Sequence, residues 1–286
     1  MYDAIIIGGG PAGLSAAINL KARNRNAAVF TRGIETSFLY RAEKVNNHLG
    51  MPEMTGKEML NSFLNHARNQ EIEIKKGRVL QVLDMGDFFG INFENDFYQA
   101  KTVILATGIK KGKKIAGEEE FLGRGVSYCA TCDGMLYRNK DVVVVGEIKE
   151  AEEDVNFLAD IAGNTYFIPL YGEPSNINSK VKILKAKPVS VKGGDFVEAL
   201  DTSEGPIKCS GAFFVKESTP ANSLLPGIAV EDGMIVVNRY METNLKGVYA
   251  CGDCTGWPYQ ISNAVGEGLI AAQQADRYLR QSSSKN

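Results

Sequence analysis

Ala4-Ile5-Ile6-Ile7-Gly8-Gly9-Gly10-Pro11-Ala12-Gly13-Leu14 is the stretch that decides the fold. A short β-branched run enters a glycine-rich turn, the turn opens a helix expected over residues 14–23, and Ala28-Val29-Phe30 follows as a second strand. Strand, turn, helix and strand make a βαβ unit. Gly8 permits the tight turn, Gly10 lets the backbone approach a pyrophosphate, and Gly13 lets the helix pack on the sheet. The free N–H groups and positive dipole end of the helix then face the phosphates. The acid that usually grips a ribose about 20 residues further on is replaced by Thr31-Arg32-Gly33. Either a hydroxyl and the backbone hold the ribose, or the ligand is not a simple NAD.

Outward from this unit, Met59, Leu60, Phe63, Leu64 and Ala67 recur at helical spacing and predict a helix over residues 55–70. Strands are expected at residues 71–75, 79–83, 89–93 and 98–100. Thr102-Val103-Ile104-Leu105-Ala106-Thr107-Gly108 then reads as a buried strand ending in a small-residue turn. Lys110-Lys111-Gly112-Lys113-Lys114 is basic and flexible and reads as a hinge between domains. Beyond it a strand at 142–145, a helix at 150–162 and a strand at 166–170 predict a second Rossmann-like domain. Strands at 234–237 and 247–250 and a helix over about 260–280 complete the chain.

The chain has 286 residues, 44% apolar and 23% charged, which suits about two domains. Its net charge of −2 gives no general attraction to phosphate backbones or anionic membranes, so nucleic acid is not an expected partner. The longest apolar runs, such as Ala4-Ile5-Ile6-Ile7, have four residues, far below the roughly 18 of a membrane span. Met1-Tyr2-Asp3 passes straight into a strand without a leader pattern, and a cytoplasmic location is expected.

The five cysteines, Cys129, Cys132, Cys209, Cys251 and Cys254, do not suit a disulfide framework. Two C-x-x-C spacings invite a zinc reading, yet the only histidines are His48 and His66, and no metal is expected. Cys129 and Cys132 suit redox chemistry: two sulfurs in one turn close a disulfide that an incoming dithiol opens through a mixed intermediate. Cys251 and Cys254 either pack around Gly252-Asp253 or form a second redox pair. Cys209 reads as a small buried hydrophobe.

Gly8-Gly9-Gly10-Pro11-Ala12-Gly13, Ala106-Thr107-Gly108, Cys129-Ala130-Thr131-Cys132-Asp133 and Cys251-Gly252-Asp253 occur in one order at one set of spacings. Together they resemble the low-molecular-weight thioredoxin reductase family of FAD disulfide oxidoreductases. The likeness runs from Tyr2 to Leu279. It implies an α/β fold of two Rossmann-like, three-layer domains, in which a discontinuous FAD domain (residues 1–112 and 216–286) carries an inserted smaller domain (113–215) with the C-x-x-C. Carried over by position, Gly8, Gly10, Pro11 and Ala12 would face the pyrophosphate, Thr31 the adenosine ribose, and Val79 the adenine. Asn47, Thr107 and Gly108 would lie near the flavin. Gly252 with Asp253 would meet the ribitol hydroxyls, and Gln260 with Ile261 the isoalloxazine ring. Thr36-Ser37-Phe38-Leu39 stands where the family has Gly-Gly-Gln-Leu. Cys132 would be the flavin-side sulfur, Cys129 the attacker of the partner disulfide, and Asp133 the proton donor and acceptor.

The inserted domain departs from the nicotinamide pattern. Its turn reads Gly146-Glu147-Ile148-Lys149-Glu150-Ala151, with Ile148 at the second glycine position, where a branched side chain blocks a pyrophosphate. From 147 to 154 there are five acids against one lysine, a local charge of −4 that repels phosphate. Tyr171-Gly172-Glu173-Pro174-Ser175 offers no arginine for a 2′-phosphate. No NAD(P)H is therefore expected, and the resemblance is greatest to the ferredoxin-dependent flavin thioredoxin reductases. That likeness implies ferredoxin as electron donor, thioredoxin as acceptor, a homodimer, and rotation about the 110–114 hinge. Lys110, Lys111, Lys113 and Lys114 are either a docking patch for an acidic ferredoxin or a solvated hinge. The competing reading is an FAD-dependent dithiol oxidase that passes electrons from a small dithiol to oxygen.

Overall fold

The β-branched run of the glycine-rich segment forms β1 (Tyr2–Ile7). Ala4 and Ile6 enter one buried cluster and Ile5 and Ile7 another, so both faces of the strand are covered. That explains a continuous apolar run instead of an alternation. A computed structural model describes residues 1–108, 115–128, 130–216 and 220–283. The chain divides into two units, Met1–Ile109 with Pro220–Asn286, and Lys110–Thr219 between them. The expected hinge at Lys110, Lys111, Gly112, Lys113 and Lys114 lies outside the described residues, as does Cys129.

In the first unit, α1 (Pro11–Lys21) begins with a proline at its first turn, where the missing N–H costs nothing. β2 (Ala27–Thr31) runs parallel to β1 in the register Ala4 to Ala27. α2 (Gly56–Asn69) starts at a capping box: Glu58 N–H donates to Thr55 Oγ1 at 3.2 Å, and Thr55 N–H donates to Glu58 Oε2 at 2.8 Å. β3 (Glu73–Lys76), β4 (Val79–Asp84), β5 (Phe89–Phe93) and β6 (Asp96–Leu105) follow, and the sheet order is β3-β2-β1-β6-β5-β4. Residues 98–100 and 102 onward, expected as separate strands, form the single strand β6. Its first half pairs antiparallel with β5 and its second half parallel with β1. Lys101, which reads as a break, is exposed mid-strand with its ammonium 3.1 Å from Asp3 Oδ1.

The second unit holds β7 (Val126–Ser127), α3 (Ala130–Asp133), β8 (Val142–Gly146), α4 (Ala151–Ile161), β9 (Thr165–Pro169) and β10 (Val181–Ile183). An antiparallel sheet of β11 (Pro188–Gly193), β12 (Val197–Thr202) and β13 (Gly205–Lys208) precedes β14 (Gly211–Val215). The parallel sheet has the order β10-β9-β8-β14-β7. Strands β10 to β13 are absent from the sequence expectation. They are short, and exposed Lys182, Lys192, Glu198 and Lys208 interrupt their apolar positions, which hides the period-two pattern.

Back in the first unit, α5 (Ala221–Leu224), the hairpin β15 (Val230–Glu231) and β16 (Met234–Ile235), β17 (Val248–Ala250) and α6 (Ile261–Ser283) complete the chain. β17 lies parallel to Val103, Ile104 and Leu105 of β6, so the returning segment finishes the sheet begun by β1. Among the described residues no helix is long and apolar enough to cross a membrane. α6 is pinned to the turn before β2: buried Asp276 accepts from Arg25 Nε at 2.7 Å and from Arg280 Nε at 3.0 Å. Asp276→Ala strands the largely buried Arg25 and should cost about 3 kcal/mol, read as a lower urea midpoint; an unchanged midpoint would contradict this account of α6.

Candidate active site

β1, β2, β6 and β17 are mutually parallel, so their carboxyl ends, where open α/β sheets bind ligands, share one edge of the first unit. Three turns distant in sequence meet there. Gly8 N–H donates to Phe30 O at 2.9 Å, Ala106 N–H to Ile7 O at 2.8 Å, and Cys251 N–H to Leu105 O at 2.9 Å. A Cβ on Gly8 (φ +122°) would lie 2.1 Å from the Ala106 carbonyl oxygen, and one on Gly13 would lie 1.9 Å from the Gly8 carbonyl oxygen. A Cβ on Gly10, by contrast, would meet nothing within 4 Å. The open side of the turn is therefore above Gly10. No side chain caps α1 and no acid sits in its first turn, which leaves the first N–H groups to an anion.

Thr31 and the 106–108 and 252–253 turns border this opening. Gly252 reaches Ala12 so closely that a Cβ there would lie 2.7 Å from the alanine methyl. Gly77 N–H donates to Thr31 O at 2.9 Å, and Val79 follows two residues later as the start of β4. Asn47 Nδ2 donates to Gln260 Oε1 at 2.9 Å, so two loops 213 residues apart are joined directly before Ile261 begins α6. Thr36-Ser37-Phe38-Leu39, the departure from the family pattern, falls on two short 3₁₀ turns, Ile34–Thr36 and Leu39–Arg41.

Glu267 is a residue the sequence reasoning missed. It accepts from Gly252 N–H at 2.7 Å, Thr255 Oγ1 at 3.1 Å and Asn263 Nδ2 at 2.9 Å, and so fixes the 252–255 turn. Its four-residue spacing from Asn263 on α6 is the only local signal. Burial, and then the nearby Glu267 charge, push the Asp253 carboxyl above its ordinary range. Among the described residues nothing donates to that side chain, so it suits ligand hydroxyls. The open Gly10 turn, the helix end without a side-chain cap and this acceptor fit a dinucleotide such as FAD.

In the second unit Cys132 and Asp133 lie on α3. Ser127 Oγ donates to Asp133 Oδ2 at 2.6 Å. Met135 and Leu136, directly after the motif, are 53% and 67% exposed. Buried Glu118 stands at the head of Glu118-Glu119-Glu120 and carries no motif in the sequence. It accepts from Tyr128 Oη at 2.5 Å, Lys216 Nζ at 2.6 Å and Ile115 N–H at 3.1 Å, which ties the residue before Cys129 to both ends of the unit's described chain.

The turns after β1 and β8 are both tight at their first glycine and differ at the third position, open at Gly10 and taken by Ile148 after β8. A Cβ on Gly146 would lie 2.5 Å from the Ala151 methyl, and Ile148 packs against the core formed by Val142, Val144, Ala151 and Phe167. Glu152, in the first turn of α4, is buried at 5% exposure. It accepts from Tyr171 Oη at 2.9 Å and from the N–H groups of Ser175 at 3.1 Å and Asn176 at 2.9 Å. One of the five acids thus spans from the helix N-terminus to the loop after β9, the two places where a dinucleotide is normally read. Burial raises the Glu152 carboxyl, but the donors from Ser175, Tyr171 and Asn176 outweigh it and hold it below the ordinary value.

Cys209, Cys251 and Cys254 are buried free thiols. Burial pushes Cys209 up to about 12 and raises Cys251 and Cys254 as well, so all three are protonated and poorly nucleophilic. Cys254 Sγ donates to Leu105 O and Cys251 O at 3.5 and 3.3 Å, as a packed thiol does.

An open dinucleotide cradle in one βαβ unit and a C-x-x-C-D motif on a second define a flavin disulfide oxidoreductase. The chain matches the pyridine nucleotide-disulphide oxidoreductase family over residues 2–147 and 176–268. The thioredoxin reductase of Bacillus subtilis (strain 168) is 32% identical to it over 304 residues, covering 98% of this chain and 96% of the relative. A ferredoxin-flavin thioredoxin reductase from Clostridium acetobutylicum superimposes with a TM-score of 0.90 at 45% identity, covering 98% of each chain. A second such structure from that organism gives 0.81 at 41% identity, covering 99% of this chain and 98% of the other. The chain belongs to the pyridine nucleotide-disulphide oxidoreductase family, as a thioredoxin-reductase-type flavoenzyme that acts on a disulfide.

The lowered Glu152 carboxyl has a pH signature. Its stabilisation is present above the ordinary value of 4.5 and is lost as pH falls through the lowered folded value. The stability gap between wild type and Glu152→Gln, measured by urea unfolding, should be largest at neutral pH and shrink as pH falls below the ordinary value. A gap independent of pH would contradict the assignment.

Proposed function

We propose that the enzyme reduces the disulfide of thioredoxin through FAD and the Cys129–Cys132 pair, with electrons from reduced ferredoxin and not from NADPH. The observation that carries the choice of donor is Glu152. A nicotinamide dinucleotide would have to displace a buried carboxylate that already takes the N–H groups of Ser175 and Asn176. Ile148 in the turn and the absence of arginine over residues 171–176 oppose it further. The likeness to the Clostridium acetobutylicum ferredoxin-flavin thioredoxin reductase supports the same donor. Exposed Met135 and Leu136, two and three residues after Asp133, support a protein acceptor over a small dithiol, because exposed apolar area suits a protein surface. The family likeness also supports a cytoplasmic homodimer.

Bound FAD would accept electrons singly and deliver them as a pair. The chain's own residues do the rest. The α1 N-terminus above Gly10 holds the pyrophosphate, while Thr31, Thr107, Gly108 and Gly252 line the cradle. Asn47, Gln260 and Ile261 bound the far loops, and Val79 offers backbone at the β4 end. The Cys129 thiolate attacks one sulfur of the partner disulfide and forms a mixed disulfide. Cys132 then loses its proton, attacks Cys129 sulfur and releases the partner as a dithiol. The enzyme dithiol is oxidised by two electrons, the partner is reduced by two, and Asp133 relays a proton from enzyme thiol to departing thiolate.

Anaerobic mixing with photoreduced ferredoxin should bleach the flavin absorbance and then reduce added thioredoxin. Flavin that stays oxidised would overturn the donor assignment. Cys132→Ser should keep FAD and lose thioredoxin turnover, and full turnover in that variant would move the chemistry elsewhere.

A further inference from the structure

We propose that Ser127 is the positioning residue of Asp133, the fixed point that aims its carboxylate for proton relay during disulfide exchange. The inference rests on the role given to Asp133 above. Ser127 is 2% exposed and ends β7, whose backbone pairs with β14 in the register Val126 to Ala212 and Ser127 to Phe213. Ala212 N–H also donates to Gly125 O at 2.8 Å just before the strand. The next residue, Tyr128, is anchored through its hydroxyl to Glu118, which in turn holds Lys216. The strand is thus held by β14 along its backbone and by the Tyr128–Glu118 contact directly after it. Ser127 therefore cannot follow a wandering carboxylate.

Asp133 needs such a partner. It ends a four-residue helix that passes directly into the 3₁₀ turn Gly134–Tyr137, and it is only partly buried. Its side chain would otherwise sample several rotamers. The 2.6 Å hydrogen bond holds Oδ2 and leaves Oδ1 as the oxygen that takes a proton from one sulfur and returns it to another. The serine hydroxyl keeps its own proton throughout, so the step balances as written for the dithiol exchange: Cys132 gives up one proton, which Oδ1 passes to a partner thiolate, and the negative charge of the Cys129 thiolate leaves on the other partner sulfur.

The test is a double-mutant cycle read in single-turnover exchange between dithiol-reduced holoenzyme and oxidised thioredoxin, for wild type, Ser127→Ala, Asp133→Asn and the double variant. FAD content and circular dichroism monitor the fold. Ser127→Ala should slow exchange about tenfold, the scale of one hydrogen bond to a charged group, with the thioredoxin concentration for half-maximal rate unchanged. In the Asp133→Asn background the same substitution should change the rate by less than about twofold. Equal losses in both backgrounds, or no loss in either, would overturn the positioning role while leaving the relay reading intact. Full exchange in Asp133→Asn would overturn the relay reading and the role of Ser127 with it.

Discussion

The contact on which the first unit depends is the approach of the Gly8 turn to the Ala106 turn, so close that a side-chain carbon on Gly8 would lie 2.1 Å from a carbonyl oxygen. It exists because β1 and β6 are neighbours in a parallel sheet and end together. The third turn, after β17, joins them only because the chain returns from the second unit to lay β17 on β6. A discontinuous unit is thus what completes the cradle. Once the three turns are locked, room remains above Gly10, at a helix end with no side-chain cap.

The chain uses the same strand-turn-helix device twice with opposite outcomes. After β1 the turn is glycine on its open side, and among the described residues no side chain caps the helix N-terminus. After β8 an isoleucine turns into the core, and a glutamate from α4 takes the N–H groups of the following loop. A helix end and a loop that would read a dinucleotide are satisfied by the protein itself. Simple charge repulsion from the acidic run is a weaker barrier, because solvent screens exposed charges within about 10 Å at moderate salt. A buried carboxylate with directed donors is not screened in that way.

What was legible in the sequence follows from how local each feature is. The β1-α1-β2 unit and α2 were readable because burial on both strand faces and a capping box leave marks within a few residues. β6 was divided at Lys101, whose exposure is explained only by Asp3 on the neighbouring strand. The β11 to β13 sheet was missed because short strands with lysines facing outward resemble loop. The site was legible by motif where backbone geometry demands glycine, as at Gly8. It was illegible where one side chain serves a distant segment: Glu152 bonds residues 23 and 24 positions on, and Asn47 bonds Gln260. Ser127 had no signal, since its partner is defined by the turn between β7 and α3.

Whether Ile148 and Glu152 exclude a nucleotide from the second unit is read by titration calorimetry of the FAD-loaded enzyme with NADPH and with NADH. No saturable heat is expected up to about millimolar ligand, a binding free energy weaker than about −4 kcal/mol. Saturable binding at micromolar concentration of either nucleotide would contradict that exclusion.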